Sequence, residues 1–227
     1  MWAIIKKEIK GYFLSPIGYV FIGLFLAMCS IFFYLDVFFY SSIKFEYMFY
    51  SAAIVLTFIV PILTMRMFSE ERKSGTEQIL YTSPRSIFSI VMGKFLGAAF
   101  VIFIAEILTL IYFVILLFFG IPNILTALIC LVGFFLLSLS YIAFGMFASS
   151  LTENQIISGV ITMAGLIGIW LIPNIVKEFT SFSLMSAFLS SFPEGFMTYK
   201  GLILFISYIL LFVFLTIVII SRRKSIK

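Results

Sequence analysis

The sequence predicts an all-α integral membrane protein. It reads as one bundle of six transmembrane helices, with an amphipathic interfacial helix ahead of it and a short helix between spans two and three. Three observations predict this. Of 227 residues, 63% are hydrophobic and only 11% charged, and mean hydropathy is +1.22, whereas a soluble domain carries roughly 25% charged residues. Six apolar stretches are long enough to cross a bilayer core of about 30 Å at about 1.5 Å per residue. Lysine and arginine fall almost entirely in alternate connections, the pattern of a positive inner face.

The first span, residues 16–35, opens with Ser15-Pro16, an N-cap residue followed by proline at the first helical position. The second covers 47–65, where Pro61 is expected to kink it near the inner end. The third runs 88–119, the fourth 124–148, the fifth 155–172 and the sixth 201–220. Thirty Phe and eleven Tyr suit helices that face lipid and set aromatic rings at the headgroup level. Cys29 and Cys130 each lie in an apolar run, so neither a disulfide nor a metal site is expected from them. The stretch ending at Met28-Cys29 lacks the small residue a cleavage site needs, and residues 1–35 read as retained.

With both termini inside, the inner side holds twelve of the fifteen basic residues: Lys6, Lys7, Lys10, Arg66, Arg72, Lys73, Arg85, Lys94, Arg222, Arg223, Lys224 and Lys227. The outer side holds Lys44, Lys177 and Lys200. The net charge of +5 is this bias summed over the chain, so it carries no nucleic-acid signal. Residues 1–14 place Trp2, Ile5, Ile9, Tyr12 and Phe13 on one helical face and the lysines on another, with Ile4 fitting poorly. That is the pattern of a helix lying on the inner leaflet. A frayed basic tail is the alternative.

Two connections are long. The outer one, residues 173–200, is too apolar for a free loop and is broken by Pro173 and Pro193, so it reads as interfacial or re-entrant. The inner one, residues 66–87, has the densest charge in the chain. Within it Ser74 and Glu77 have the spacing of a capping box, and Pro84 ends the helical run, which predicts a helix over 75–82. A helix so short is unstable alone in water and must pack on its own protein or on a partner.

Catalysis finds little support. The sequence has no His, which removes the commonest general base and metal ligand. Its Gly93-Lys94 lacks the Gly and Ser/Thr of a phosphate loop, Phe88 and Phe95 standing there instead. Glu70-Glu71 would need an arginine where Gly75 stands to begin an intramembrane protease motif.

The run Glu70-Glu71-Arg72-Lys73-Ser74-Gly75-Thr76-Glu77-Gln78-Ile79-Leu80-Tyr81-Thr82-Ser83-Pro84, followed by Gly93-Lys94-Phe95, resembles the cytoplasmic segment of type-2 ABC (ABC-2) exporter permeases. Lys7-Glu8, Ser15-Pro16, Pro61 and Met65-Arg66 resemble the short six-span permeases of the gliding-motility and nitrous-oxide-reductase-maturation type. The resemblance implies a permease in the cell membrane, pairing with a second permease chain and driven by separate cytoplasmic ABC ATPase subunits. ATP and magnesium would belong to those subunits, with no cofactor in this chain. It leaves room for an auxiliary membrane or extracellular subunit. The implied coupling element comprises Glu70, Glu71, Arg72, Gly75, Thr76 and Glu77, with Leu80 and Tyr81 as apolar contacts.

Glu106 is the one acidic residue deep in a span. It reads either as part of a substrate path or as a neutral carboxyl bonded to Ser138, Ser140 or Tyr141. Gly93 and Gly97 form a small-residue face for close helix packing. A self-contained secondary transporter or channel is the rival function. It would want polar groups on broken midplane helices, for which only Glu106 and Pro61 speak.

Overall fold

The computed structural model describes residues 2–39, 44–78, 86–175 and 182–226, and every regular element among them is helical. The order is α1 (Trp2–Leu14), α2 (Pro16–Tyr34) running into a π-helical turn (Leu35–Phe39), α3 (Phe45–Thr64), α4 (Ser69–Lys73), α5 (Ile87–Leu116), α6 (Ile124–Leu151), α7 (Gln155–Ile175), α8 (Leu184–Leu189), a 3-10 turn (Phe192–Glu194) and α9 (Tyr199–Ile226). Among the described residues, five segments are long and apolar enough to cross a membrane: Pro16–Val37, Phe45–Lys73, Ile87–Leu116, Ile124–Leu151 and Tyr199–Lys224. The fifth expected span falls on α7, whose apolar portion Gln155–Leu171 is shorter than the rest.

Local chemistry sets most boundaries. Asn123 Oδ1 accepts from the amides of Leu125 and Thr126 at the start of α6. Ser86 Oγ accepts from Ser89 N at the start of α5. Each satisfies amides that a first helical turn leaves orphaned. Ser15 stands at the N-cap of α2 ahead of Pro16, but its side chain makes no cap bond. Its hydroxyl donates instead to Tyr12 O. α3 continues through Pro61 for a further turn.

An aromatic chain holds the bundle together. Phe134 of α6 is fully buried and meets Phe25 of α2 at 5.8 Å, Phe49 of α3 at 4.9 Å and Phe188 of α8 at 6.0 Å between ring centroids. Phe188 continues to Phe192, and Phe192 to Phe205 of α9. Such ring pairs each add about 0.5–1.5 kcal/mol beyond burial. Gly133 leaves the space Phe192 occupies, so residues 184–194 of the outer connection pack into the bundle. Gly145 likewise lets Thr64 of α3 approach α6.

α1 packs on α5 through residues outside its apolar face. Ile4, the poor fit to its apolar face, packs on Gly93 of α5, where an added Cβ would lie 2.6 Å from Ile4 Cγ2. One turn on, Glu8 packs on Gly97, and Tyr12 donates its hydroxyl to Leu63 O. Trp2 and Leu14 stay exposed. One stripe of α1, at i, i+4 and i+8, therefore clamps it to the bundle: Ile4 and Glu8 on α5, and Tyr12 on α3.

Candidate functional site

The clamp brings α1 to the end of the bundle where the turn after α3 and α4 also lie. Ser149 of α6 organises that turn. Its hydroxyl accepts from Phe68 N and Ser69 N, 3.0 and 3.2 Å away, and donates to Met65 O. Ser69 donates its hydroxyl to the same carbonyl. A five-residue helix has no stability of its own, so α4 exists because Ser149 holds its first turn against α6.

The charges of α4 then meet partners from α1, from α5 and from the connections before α4 and after α6. Lys94 of α5 is 3% exposed, and its Nζ lies 2.9 Å from Glu71 Oε1 and 3.3 Å from Glu8 Oε1. Lys7 Nζ lies 3.4 Å from Glu71 and 3.6 Å from Glu8. Burial pulls the Lys7 ammonium down, but Glu8 and Glu71 outweigh it and hold its pKa above the usual value. Arg66 pairs with Glu70 at 2.7 Å and donates to Ser15 Oγ. Arg72 pairs with Glu153 at 2.6 Å and with Glu77 at 3.9 Å, and Arg223 near the end of α9 reaches Glu77 at 3.8 Å. Both chain ends and residues 66–78 thus share one end of the bundle.

Between α1, α4 and α5 lies an open cleft of about 430 Å³ walled by Lys7, Glu8, Arg66, Glu70, Glu71 and Lys94. Cations and anions alternate there and pair with one another, so the cleft offers no uncommitted positive wall to an anion. Burial pushes the Tyr12 phenol up, with Glu8 adding to the effect, so it stays a hydrogen-bond donor at neutral pH. Among the described residues, no three Cys, Asp or Glu side chains are placed to share a metal ion.

Of the expected coupling residues, Glu70, Glu71, Arg72 and Glu77 come together in this network. Gly75 and Thr76 lie at its exposed tip. Leu80 and Tyr81 lie outside the described residues. The capping-box reading is overturned. Ser74 Oγ bonds Glu70 O, Glu71 O and Thr76 Oγ1, so Ser74 closes α4 rather than opening a helix at residue 75. Gly75 comes next at φ +72°, the left-handed glycine that ends a helix, and helical backbone resumes only at Glu77.

Sequence reasoning did not pick out Glu8, Ser149, Glu153 or Arg223 as partners of this segment. Lys94 carried a signal, being a lone cation inside an apolar span beside two glycines.

Glu106 lies on α5 twelve residues beyond Lys94, roughly 18 Å along the helix. It is 5% exposed, and its buried Oε1 has no hydrogen-bond partner among the described residues. Ser138 donates to Phe134 O, and Ser140 to Leu136 O and Phe205 O. The expected bond to Oε1 from Ser138, Ser140 or Tyr141 is therefore absent.

Fold and site together define a multi-pass, all-helical membrane protein with one ion-paired end that gathers both chain termini. The sequence model of the family described as ABC-2 family transporter protein matches residues 36–222, well over half of the 227. The chain belongs to that family of membrane transport proteins. No curated protein matches it significantly.

Proposed function

We propose that this chain is the membrane-spanning permease subunit of an ABC-2 exporter. It crosses the cell membrane six times with both termini inside, pairs with a second permease chain and takes its drive from separate ATPase subunits. ATP and magnesium belong to those subunits, and this chain does no hydrolysis. Within the family, the likeness to the gliding-motility and nitrous-oxide-reductase-maturation permeases rests on sequence alone, on Lys7-Glu8, Ser15-Pro16, Pro61 and Met65-Arg66.

The observation that carries the reading is the wiring of the 66–78 segment. Its tip, Lys73 to Thr76, is exposed. Its base is ion-paired to α1, to α5, to Glu153 just beyond α6 and to α9. A push delivered at the tip reaches four parts of the bundle through contiguous contacts, which is what coupling needs. The shared location of both termini supports an even number of crossings, with α7 as the sixth. Twelve of the fifteen basic residues would face the cytoplasm in that topology.

The test is Gly75→Trp. A Cβ added at Gly75 meets nothing within 4 Å, and the position is exposed. Its φ of +72° makes any replacement locally strained. We expect the variant to insert and dimerise, yet to recover less ATPase in a pull-down and to lose substrate-stimulated hydrolysis in liposomes. Wild-type binding and turnover would remove the coupling assignment.

A further inference from the structure

Glu106 lies covered at the foot of a groove of about 230 Å³ between α5 and α6. The walls are Phe103, Ile107 and Leu110 from one helix and Leu131, Val132 and Phe135 from the other. Phe103, Ile107 and Val132 are each 46% exposed, so the groove opens sideways on the outer face of the bundle. Glu106 itself is almost fully covered, and its Oε1 has no hydrogen-bond partner among the described residues. A carboxyl in such a place is held away from water and given nothing in exchange, a costly arrangement.

From this juxtaposition we infer that the groove is a binding site for a lipophilic amine, which enters laterally from the hydrocarbon and pairs its nitrogen with Glu106. The walls dictate an apolar body, because nothing else in them donates or accepts. The floor dictates a donor, and a protonated amine supplies both an N–H and the opposite charge. A carboxylate of the same shape brings neither a donor nor a positive charge. The volume is below the roughly 300–1,000 Å³ of sites that enclose a drug-sized ligand, so it takes one tail or ring together with the amine. The site stands on the groove alone. Calling its occupant the exported cargo rests on the permease reading.

The experiment uses the full chain in nanodiscs of zwitterionic lipid, photolabelled with a long-chain primary amine carrying a diazirine in its tail. We expect label in peptides containing Phe103 to Leu110 and Leu131 to Leu136. It should fall about tenfold in Glu106→Gln, the scale of one charge-assisted hydrogen bond. Val132→Trp fills the groove while keeping Glu106, and it should also abolish labelling, so the test survives if the Gln variant misassembles. The matching diazirine fatty acid should leave these peptides unlabelled. Undiminished labelling in both variants, or equal labelling by the acid, would overturn the site. So would efficient cross-linking between Val132→Cys chains, which would put a second copy over the groove. Pull-down of the ATPase from the same preparation separates the two readings. Groove labelling without ATPase keeps the site and removes the exporter, and ATPase recovery without labelling does the reverse.

Discussion

Two ionisable side chains buried on the same helix, α5, are treated in opposite ways. Lys94, 3% exposed, has two carboxylates within 3.3 Å, one from α1 and one from α4, and its ammonium also lies 5.2 Å from the centre of the Phe68 ring. Glu106, 5% exposed, has a buried oxygen with no hydrogen-bond partner among the described residues. A buried cation neutralised by the chain's own acids is an architectural joint, costly to break from one side. A buried acid left bare contributes nothing to holding the chain together and stands ready for a group from outside. Burial alone would have ranked the two as equals; the partners separate them.

The sharpest break in this comparison is Lys94→Met. It leaves Glu8 and Glu71 crowded with only Lys7 nearby, and removing one member of a buried pair costs about 3–5 kcal/mol. Lys7 should keep the loss at the lower end, and adding Glu71→Gln should recover part of it. Denaturant unfolding in detergent reads both effects. A loss below about 1 kcal/mol would reduce the joint to an ordinary surface pair.

Gly97→Leu tests whether α1 belongs to the joint. A Cβ there would lie 2.7 Å from Glu8 Cβ, and overpacking of this kind costs about 1–3 kcal/mol. The expected sign is α1 lifting off, seen as faster tryptic cleavage at Lys6, Lys7 and Lys10. Unchanged cleavage would mean the lysine pairs survive without helix contact.

Gly75→Ala is a smaller perturbation. Holding an L-residue at φ +72° costs about 1 kcal/mol, and thermal unfolding should show a modest decrease. Gly75→Asn should cost less, since Asn tolerates that conformation. Equal stability of Ala and Gly would argue against a left-handed turn at the tip.

The smallest effect is expected at Glu106. Glu106→Gln should change stability by less than about 0.5 kcal/mol, because Oε1 has no hydrogen bond to lose. A large drop in the melting temperature would show the carboxyl to be a joint like Lys94, and the contrast between the two would collapse.

Several of these features were open to inspection in the sequence, and others were not. The runs that became α2, α3, α5, α6 and α9 are legible because a helix crossing lipid must satisfy its backbone internally and cover itself with apolar side chains. The two glycines at 93 and 97 were legible as a packing face, though not the helix that packs on them. Ser74 shows where pattern reading misleads. A serine three residues before a glutamate suits a helix start, but the same hydroxyl can close a helix that precedes it. α4 precedes it because Ser149, 80 positions beyond Ser69, holds the amides of Phe68 and Ser69.

By itself, then, the sequence determined the membrane class, the helical segments and the concentration of charge in residues 66–78. All of these arise from local composition and from the cost of exposing backbone or charge to hydrocarbon. Only the tertiary structure decided the partners. Glu8 and Lys94 lie 86 positions apart and Arg72 and Glu153 lie 81 apart, so their pairing depends on how α1 seats on Gly93 and Gly97 and how α3 seats on Gly145. The isolation of Glu106 was decided in the same way. Ser138 and Ser140 stand on the facing helix but bond backbone carbonyls instead, because the rotation of α6 about its axis is set by the aromatic packing around Phe134.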